Sequence, residues 1–145
     1  WIQIQKIIER YPMIDLFLLC VDRDGRSGRR SKLDELEQQA DEILSSGKAF
    51  FAENAWQEIE VWVLAGHDLP SDWNWQEIRN EIDPKERYFF PFAIQKGLPE
   101  HEPELAYKIL TREAVSCYHS RIRKRCPEDI LVLENKIQGW INQHA

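Results

Sequence analysis

Two carboxylates one residue apart, Asp22 and Asp24, follow an uncharged run, Leu16-Phe17-Leu18-Leu19-Cys20-Val21, and precede Gly25. Residues i and i+2 of an extended strand share a face, so both side chains are expected to aim at one point. Adjacent carboxylates repel, and a divalent cation relieves that repulsion. The chemistry that follows is metal-assisted: a bound Mg2+ or Mn2+ orients and polarises a phosphate and lowers the pKa of an attacking water. Arg26, Arg29 and Arg30 come directly after the pair and are expected to neutralise flanking phosphates. Glu60 is a further acidic candidate, and Lys85, at a helix start, is a candidate for holding an anion or an acid. The bland alternative for Asp22-x-Asp24-Gly25 is a surface turn, since Asp-Gly is common turn chemistry.

Such residues need elements that deliver them. Leu16 to Val21 has the composition of a buried strand, with Cys20 as a small core residue, and ligands in open α/β sheets collect at the carboxyl ends of strands. Ser31 with Asp34 forms a capping-box pattern, and Leu33, Leu36, Ala40, Ile43 and Leu44 lie on one helical stripe. Ala49-Phe50-Phe51-Ala52 suits a second strand. Strand, helix and strand in that order make a βαβ unit with a parallel pair and a right-handed crossover. Before it, Ile2, Ile4, Ile7 and Ile8 suggest a helix ending near Tyr11-Pro12. After it, Asn54 and Gln57 are expected to cap a helix that runs to Leu64 and stops at Gly66. On that helix Glu58 and Glu60 would lie ~200° apart and could not share a site.

The rest has helical character. Helices are expected over 75–82, from Asp83-Pro84-Lys85-Glu86 to a kink at Pro91, over 111–125, and from Pro127 onward with Ile130, Leu133, Ile137, Trp140 and Ile141 inward. The expected fold class is α/β: a small parallel, Rossmann-like sheet with a helical C-terminal half, in a single domain over 1–145.

Composition narrows the classes. The 145 residues suffice for one sizeable core, and 43% of them are apolar. The formal charge of −6 argues weakly against bulk nucleic-acid affinity. Basic residues nevertheless gather at 22–32 and again at Arg121, Arg123, Lys124 and Arg125, where a solvated face is expected. Trp56, Trp62, Trp73, Trp75 and Trp140 fall at helical spacing, as core residues do. No apolar run approaches the ~20 residues that span a bilayer, so no membrane association is expected. The three cysteines form no C-x-x-C pair and the four histidines have no ligand spacing, which points to a reducing, cytoplasmic setting without zinc. The chain opens at Trp1 with Met13 as its one methionine, as a piece of a longer protein would.

Val21-Asp22-Arg23-Asp24 at a strand end resembles the Asp-x-Asp motif of the TOPRIM fold of topoisomerases, primases and OLD-type nucleases. Glu58-Ile59-Glu60-Val61-Trp62-Val63-Leu64-Ala65 resembles the Glu-x-Trp-x-Leu-Ala segment of bacterial TOPRIM-like proteins of the DUF4276 type, and Pro84-Lys85-Glu86 resembles their downstream Pro-Lys-Glu step. The resemblance covers about residues 14–95 and leaves a helical extension over about 100–145 unmatched. It implies a Mg2+-dependent (or Mn2+-dependent) nuclease, a hydrolase of DNA or other nucleic acid, of the kind antiphage or mobile-element systems carry. Asp22 and Asp24 would hold the metal and Glu60 would join them in catalysis. The glutamate that TOPRIM enzymes carry on a first strand has no counterpart before Asp22, so it is expected upstream of Trp1 or lost.

Two alternatives remain. A catalytically degenerate TOPRIM-like module would hold a protein partner, or a second copy, through exposed Trp and Phe residues and the acidic loop Glu100 to Glu104. A phosphatase of the haloacid dehalogenase type also uses Asp-x-Asp-Gly after a strand, with the first Asp as nucleophile and the second as general acid. Arg26 stands where that family places Thr or Val.

Overall fold

A computed structural model describes residues 1–144. Helix α1 (Ile2–Arg10) leads into strand β1 (Leu16–Asp22), helix α2 (Arg29–Asp41) and strand β2 (Ala49–Ala55). The two strands pair in parallel, from Leu16 opposite Ala49 to Asp22 opposite Ala55, with α2 in the connection between them. Among the described residues, everything after β2 is helix or loop. Helices α3 (Glu60–Ala65) and α4 (Trp75–Asn80) precede a π-helical turn (Lys85–Phe89) that runs into α5 (Phe90–Gln95). Helix α6 (Pro103–Val115), a second π-helical turn (Tyr118–Ile122), the short α7 (Arg123–Arg125) and α8 (Ile130–His144) complete the chain. The architecture is mixed α/β, with a small parallel sheet and a helical second half.

Alternation along the strands builds the first apolar cluster. Phe17, Leu19 and Val21 of β1 and Phe50 and Ala52 of β2 meet Ile8 of α1 and Leu33, Leu36 and Ala40 of α2. On the other face the expectation of a fully buried strand fails: Leu18 is 49% exposed and Cys20 is exposed rather than a core residue. Among the described residues the sheet has two strands, and no layer covers this face over β1. The second cluster lies in the helical half, around Leu64, Ile78, Phe89 and Leu110, each worth ~1.5–3 kcal/mol on burial. Gly66 lets α3 approach α6, since a Cβ there would stand 2.6 Å from Ala114 Cα.

A buried ion pair ties the helical half to the residue that follows β2. Asp129, 1% exposed, accepts hydrogen bonds from Trp56 N (2.9 Å), Trp62 Nε1 (2.7 Å) and Arg79 Nη1 (3.0 Å). Arg79, 4% exposed, also reaches Glu128 (2.7 Å). Trp56 has the guanidinium groups of both Arg23 and Arg79 over its ring, at 4.1 and 5.7 Å. Trp62, Trp73 and Trp75 are half-buried against the second cluster, and the Nε1 of Trp75 and Trp140 donate to the carbonyls of Arg125 and Gly47.

Several boundaries differ from expectation, each for a local reason. Ser31 lies inside α2, whose N-cap position is Gly28, because Arg29 and Arg30 already make contacts as helical residues. Strand β2 runs on to Ala55, so Asn54 is a strand residue and caps nothing. Helix α6 starts at Pro103, where a missing N–H costs nothing, rather than near Thr111. It ends by Ser116, whose hydroxyl bonds to the Glu113 carbonyl (2.6 Å) in competition with the backbone. The basic cluster at 121–125 is solvated only in part: Lys124 is exposed, whereas Arg121 and Arg125 reach into the fold. Arg125 donates to the carbonyls of Ala65 (3.1 Å) and His67 (2.9 Å), and Arg121 pairs with Asp68 (2.7 Å). These side chains satisfy carbonyls that α3 leaves open at its end. Among the described residues no helix is long and apolar enough to cross a membrane.

Candidate functional site

Both strands end at the same rim of the sheet, and their outgoing loops are clasped together there. The carbonyl of Gln57, after β2, accepts from Arg23 N (2.7 Å) and Asp24 N (3.1 Å), after β1. Its side-chain Oε1 accepts from Gly25 N (3.0 Å). Gln57 has φ +75° and Asp24 has φ +51°. Asp tolerates this left-handed region, whereas for Gln it costs of order 1–3 kcal/mol. Three N–H donors from the β1 loop hold Gln57 in it.

That turn decides where the carboxylates go. It delays the helix until Glu60, so Glu58 precedes α3 and the helical angle between Glu58 and Glu60 does not apply. Burial pushes the Glu58 carboxyl up from its ordinary value, the Lys85 N–H opposes this, and Glu60, Glu86 and Asp22 add to the rise. Glu58 Oε2 accepts from Lys85 N (3.0 Å) and Asp22 Oδ1 from Ile59 N (2.8 Å). The Tyr107 hydroxyl, from α6, donates to Glu60 Oε1, and burial together with the Glu60 carboxylate holds that phenol well above its usual range. Among the described residues no Lys, Arg or His side chain forms an ion pair with Asp22, Glu58, Glu60 or Glu86.

The sequence-predicted residues are dispersed over this region. Asp22 is at the rim, but Asp24 does not share its aim. Asp24 lies past the strand end in a left-handed conformation, where the i, i+2 rule lapses, and Arg29 pairs with its Oδ2 (3.1 Å). Arg30 is turned away altogether: it donates to Ala52 O (3.0 Å) and pairs with Glu53 (2.9 Å) and Asp34 (2.8 Å). Arg26 is exposed on the β1 loop. Lys85 contributes its backbone N–H to Glu58, and its ammonium lies 6.0 Å from the centre of the Phe90 ring. Glu60 is buried at the start of α3. Sequence reasoning missed Gln57, Glu58, Glu86 and Tyr107. The Glu58-x-Glu60 doublet was the available signal, and it depended on knowing where the helix begins.

Among the described residues no three His, Cys, Asp or Glu side chains are arranged as a metal-holding group. The rim nevertheless offers hard carboxylate oxygens without side-chain countercharge. That donor chemistry fits Mg2+, which commonly takes one or two carboxylates and fills its other positions with water and phosphate. A broad surface cavity of about 600 Å³ lies elsewhere, lined by His101, Glu102, Glu104 and Lys108, and includes none of the rim residues. No protein-family model, curated protein or solved structure matches this chain.

Proposed function

We propose that the carboxylate rim binds a divalent cation, Mg2+ or Mn2+, and acts on phosphodiesters of nucleic acid, in a TOPRIM-like arrangement of the βαβ segment. The observation that carries this reading is Asp22 at the end of β1 and Glu58 in the loop after β2, carboxylates brought to one rim of the parallel pair, each with a backbone N–H donor and no side-chain cation. Asp22 and Glu58 are the residues that would hold the ion, in place of the pair Asp22 and Asp24. When bound, the ion would polarise a phosphate and acidify a water. The chain's own part is to orient. Tyr107, donating to Glu60, fixes the direction of that carboxylate beside the ion-holding pair. Arg26 and Lys85 are the cations left to meet phosphate, since Arg29 and Arg30 are engaged. A cytoplasmic setting belongs to the same proposal.

One observation favours a second reading, a TOPRIM-like module that binds a partner without catalysis: both aspartates of the motif already have partners within the chain. Calorimetric titration with Mg2+ and Mn2+, beside cleavage assays on labelled single- and double-stranded DNA and RNA, separates the two. The nuclease reading expects metal uptake and cleavage, both lost in Asp22→Asn and Glu58→Gln and both retained in Asp24→Asn. No metal uptake by the folded wild-type chain overturns it. Uptake without cleavage leaves the module.

A further inference from the structure

The two edges of the sheet are treated differently. On β2 the outward N–H and C=O of Ala52 are occupied by α2: Glu37 Oε1 accepts from Ala52 N (2.7 Å) and Arg30 Nη1 donates to Ala52 O (3.0 Å). Lys136 of α8 reaches the same Glu37 oxygen (2.7 Å) and closes that side. Charged side chains and a covering helix are how proteins block a strand edge. Strand β1 has no such cover. Ala49 N donates to Asp15 O (2.8 Å), so the odd-numbered residues of β1 face β2. Leu16, Leu18 and Cys20 therefore turn their N–H and C=O outward. Between Asp15 and Asp22 the strand carries no charge, and Ile7, Ile14, Leu18 and Cys20 are exposed around it.

We infer that the open β1 edge pairs with β1 of a second copy, antiparallel, to make a continuous four-stranded sheet in a closed dimer. Two observations select a copy of this chain as the occupant. The shielded β2 edge stops growth at two chains, since no further strand can be added outside it. Charge complementarity then fixes the register. With the two-fold axis at Leu19, Leu18 stands opposite the partner's Cys20, and Asp15 stands opposite the partner's Arg23. Among the described residues neither Asp15 nor Arg23 has an ion-pair partner within its own chain; the Arg23 guanidinium lies over the Trp56 ring, a contact that uses its face and leaves its N–H edge for a carboxylate. The symmetry makes the contact twice. It also sets the two Cys20 residues on diagonal positions, about 7–8 Å apart between Cα atoms.

Sedimentation of the 145-residue chain between about 1 and 100 μM tests this, the range in which interfaces of modest quality associate. The expected result is a two-chain species that Leu18→Lys shifts toward monomer, with a dissociation constant roughly tenfold or more weaker. Val115→Lys, at an exposed site on α6, is expected to leave the dimer intact. Asp15→Arg should weaken the dimer, and adding Arg23→Asp to it should restore association. A short bis-maleimide should link two wild-type chains and fail to link Cys20→Ser, which retains Cys117. Circular dichroism of each variant reports folding. A wild-type chain that stays monomeric overturns the inference. So does a dimer indifferent to Leu18→Lys in a folded variant, or a crosslink that survives Cys20→Ser, since either places the interface or its occupant elsewhere.

Discussion

Two groups of acidic side chains in this protein are handled in opposite ways. At the junction of the two halves, Asp129 is fully buried and each of its oxygens is answered, by Arg79, by two tryptophan N–H groups and by the Ile130 N–H (2.9 Å). At the sheet rim, Asp22, Glu58 and Glu60 each have a single backbone or hydroxyl donor and no opposing side-chain charge. A folded chain leaves carboxylates uncompensated at a cost in stability, because like charges disfavour the ionised state. The buried pair therefore serves architecture, and the rim is where an external cation has something to gain.

The sharpest way to break the contrast is to remove one partner of the compensated group. Asp129→Ala leaves Arg79 charged and buried, and we expect a loss of about 3–5 kcal/mol in denaturant unfolding. Replacing both, Arg79→Met with Asp129→Leu, should cost clearly less than the single change, because no orphaned charge remains. A single-variant loss under about 1 kcal/mol would remove the distinction between the two groups.

The rim should respond to cations, which the junction should not. At ten times its dissociation constant Mg2+ is expected to add about 1.4 kcal/mol to the wild type, and far less to Glu58→Gln, as read by the shift in Tm. Without metal, Glu58→Gln should stabilise the chain by up to about 1 kcal/mol, or a few degrees in Tm. The pH dependence sharpens this further. Glu58 titrates above 4.5 in the folded state, so the wild type loses stability as pH rises from about 4.5 through that raised value. The advantage of Glu58→Gln should be absent below that window, grow across it and then level off. His67 should act in the opposite sense. Burial lowers its pKa and outweighs the Leu110 carbonyl, which accepts from Nε2 (2.9 Å), and the Glu113 carboxylate, which both favour the charged ring; the folded chain therefore resists its protonation. Acidification from about 6.5 downward should cost stability that His67→Gln does not lose. This is the smallest expected effect, and proton uptake on unfolding measures it.

Much of the first half was legible from residue pattern. The Ile2, Ile4, Ile7, Ile8 spacing, the stripe of Leu33, Leu36 and Ala40, and the two short apolar runs each reported a local period, and each element formed where that period lies. Boundaries were less legible wherever a long-range partner decided them. Asn54 followed by Gln57 has the composition of a cap, yet pairing with β1 carried the strand through Asn54, and three N–H groups from another loop bent the chain at Gln57. Arg30 looked like a phosphate ligand beside Asp22 and Asp24. Placed on the first turn of α2, it reached Ala52 and Glu53 instead.

The sequence alone determined the α/β character, the order of strand, helix and strand, and the arrival of Asp22 at a strand end, because hydrophobic period is a property of neighbouring residues. The tertiary structure decided which carboxylates meet, which cations are spent on architecture and which strand edge stays open. Those outcomes depend on groups from segments far apart in the chain, such as Glu60 and Tyr107, Asp24 and Gln57, or Ala52 and Arg30, and contact energies of that kind exist only after the segments have packed.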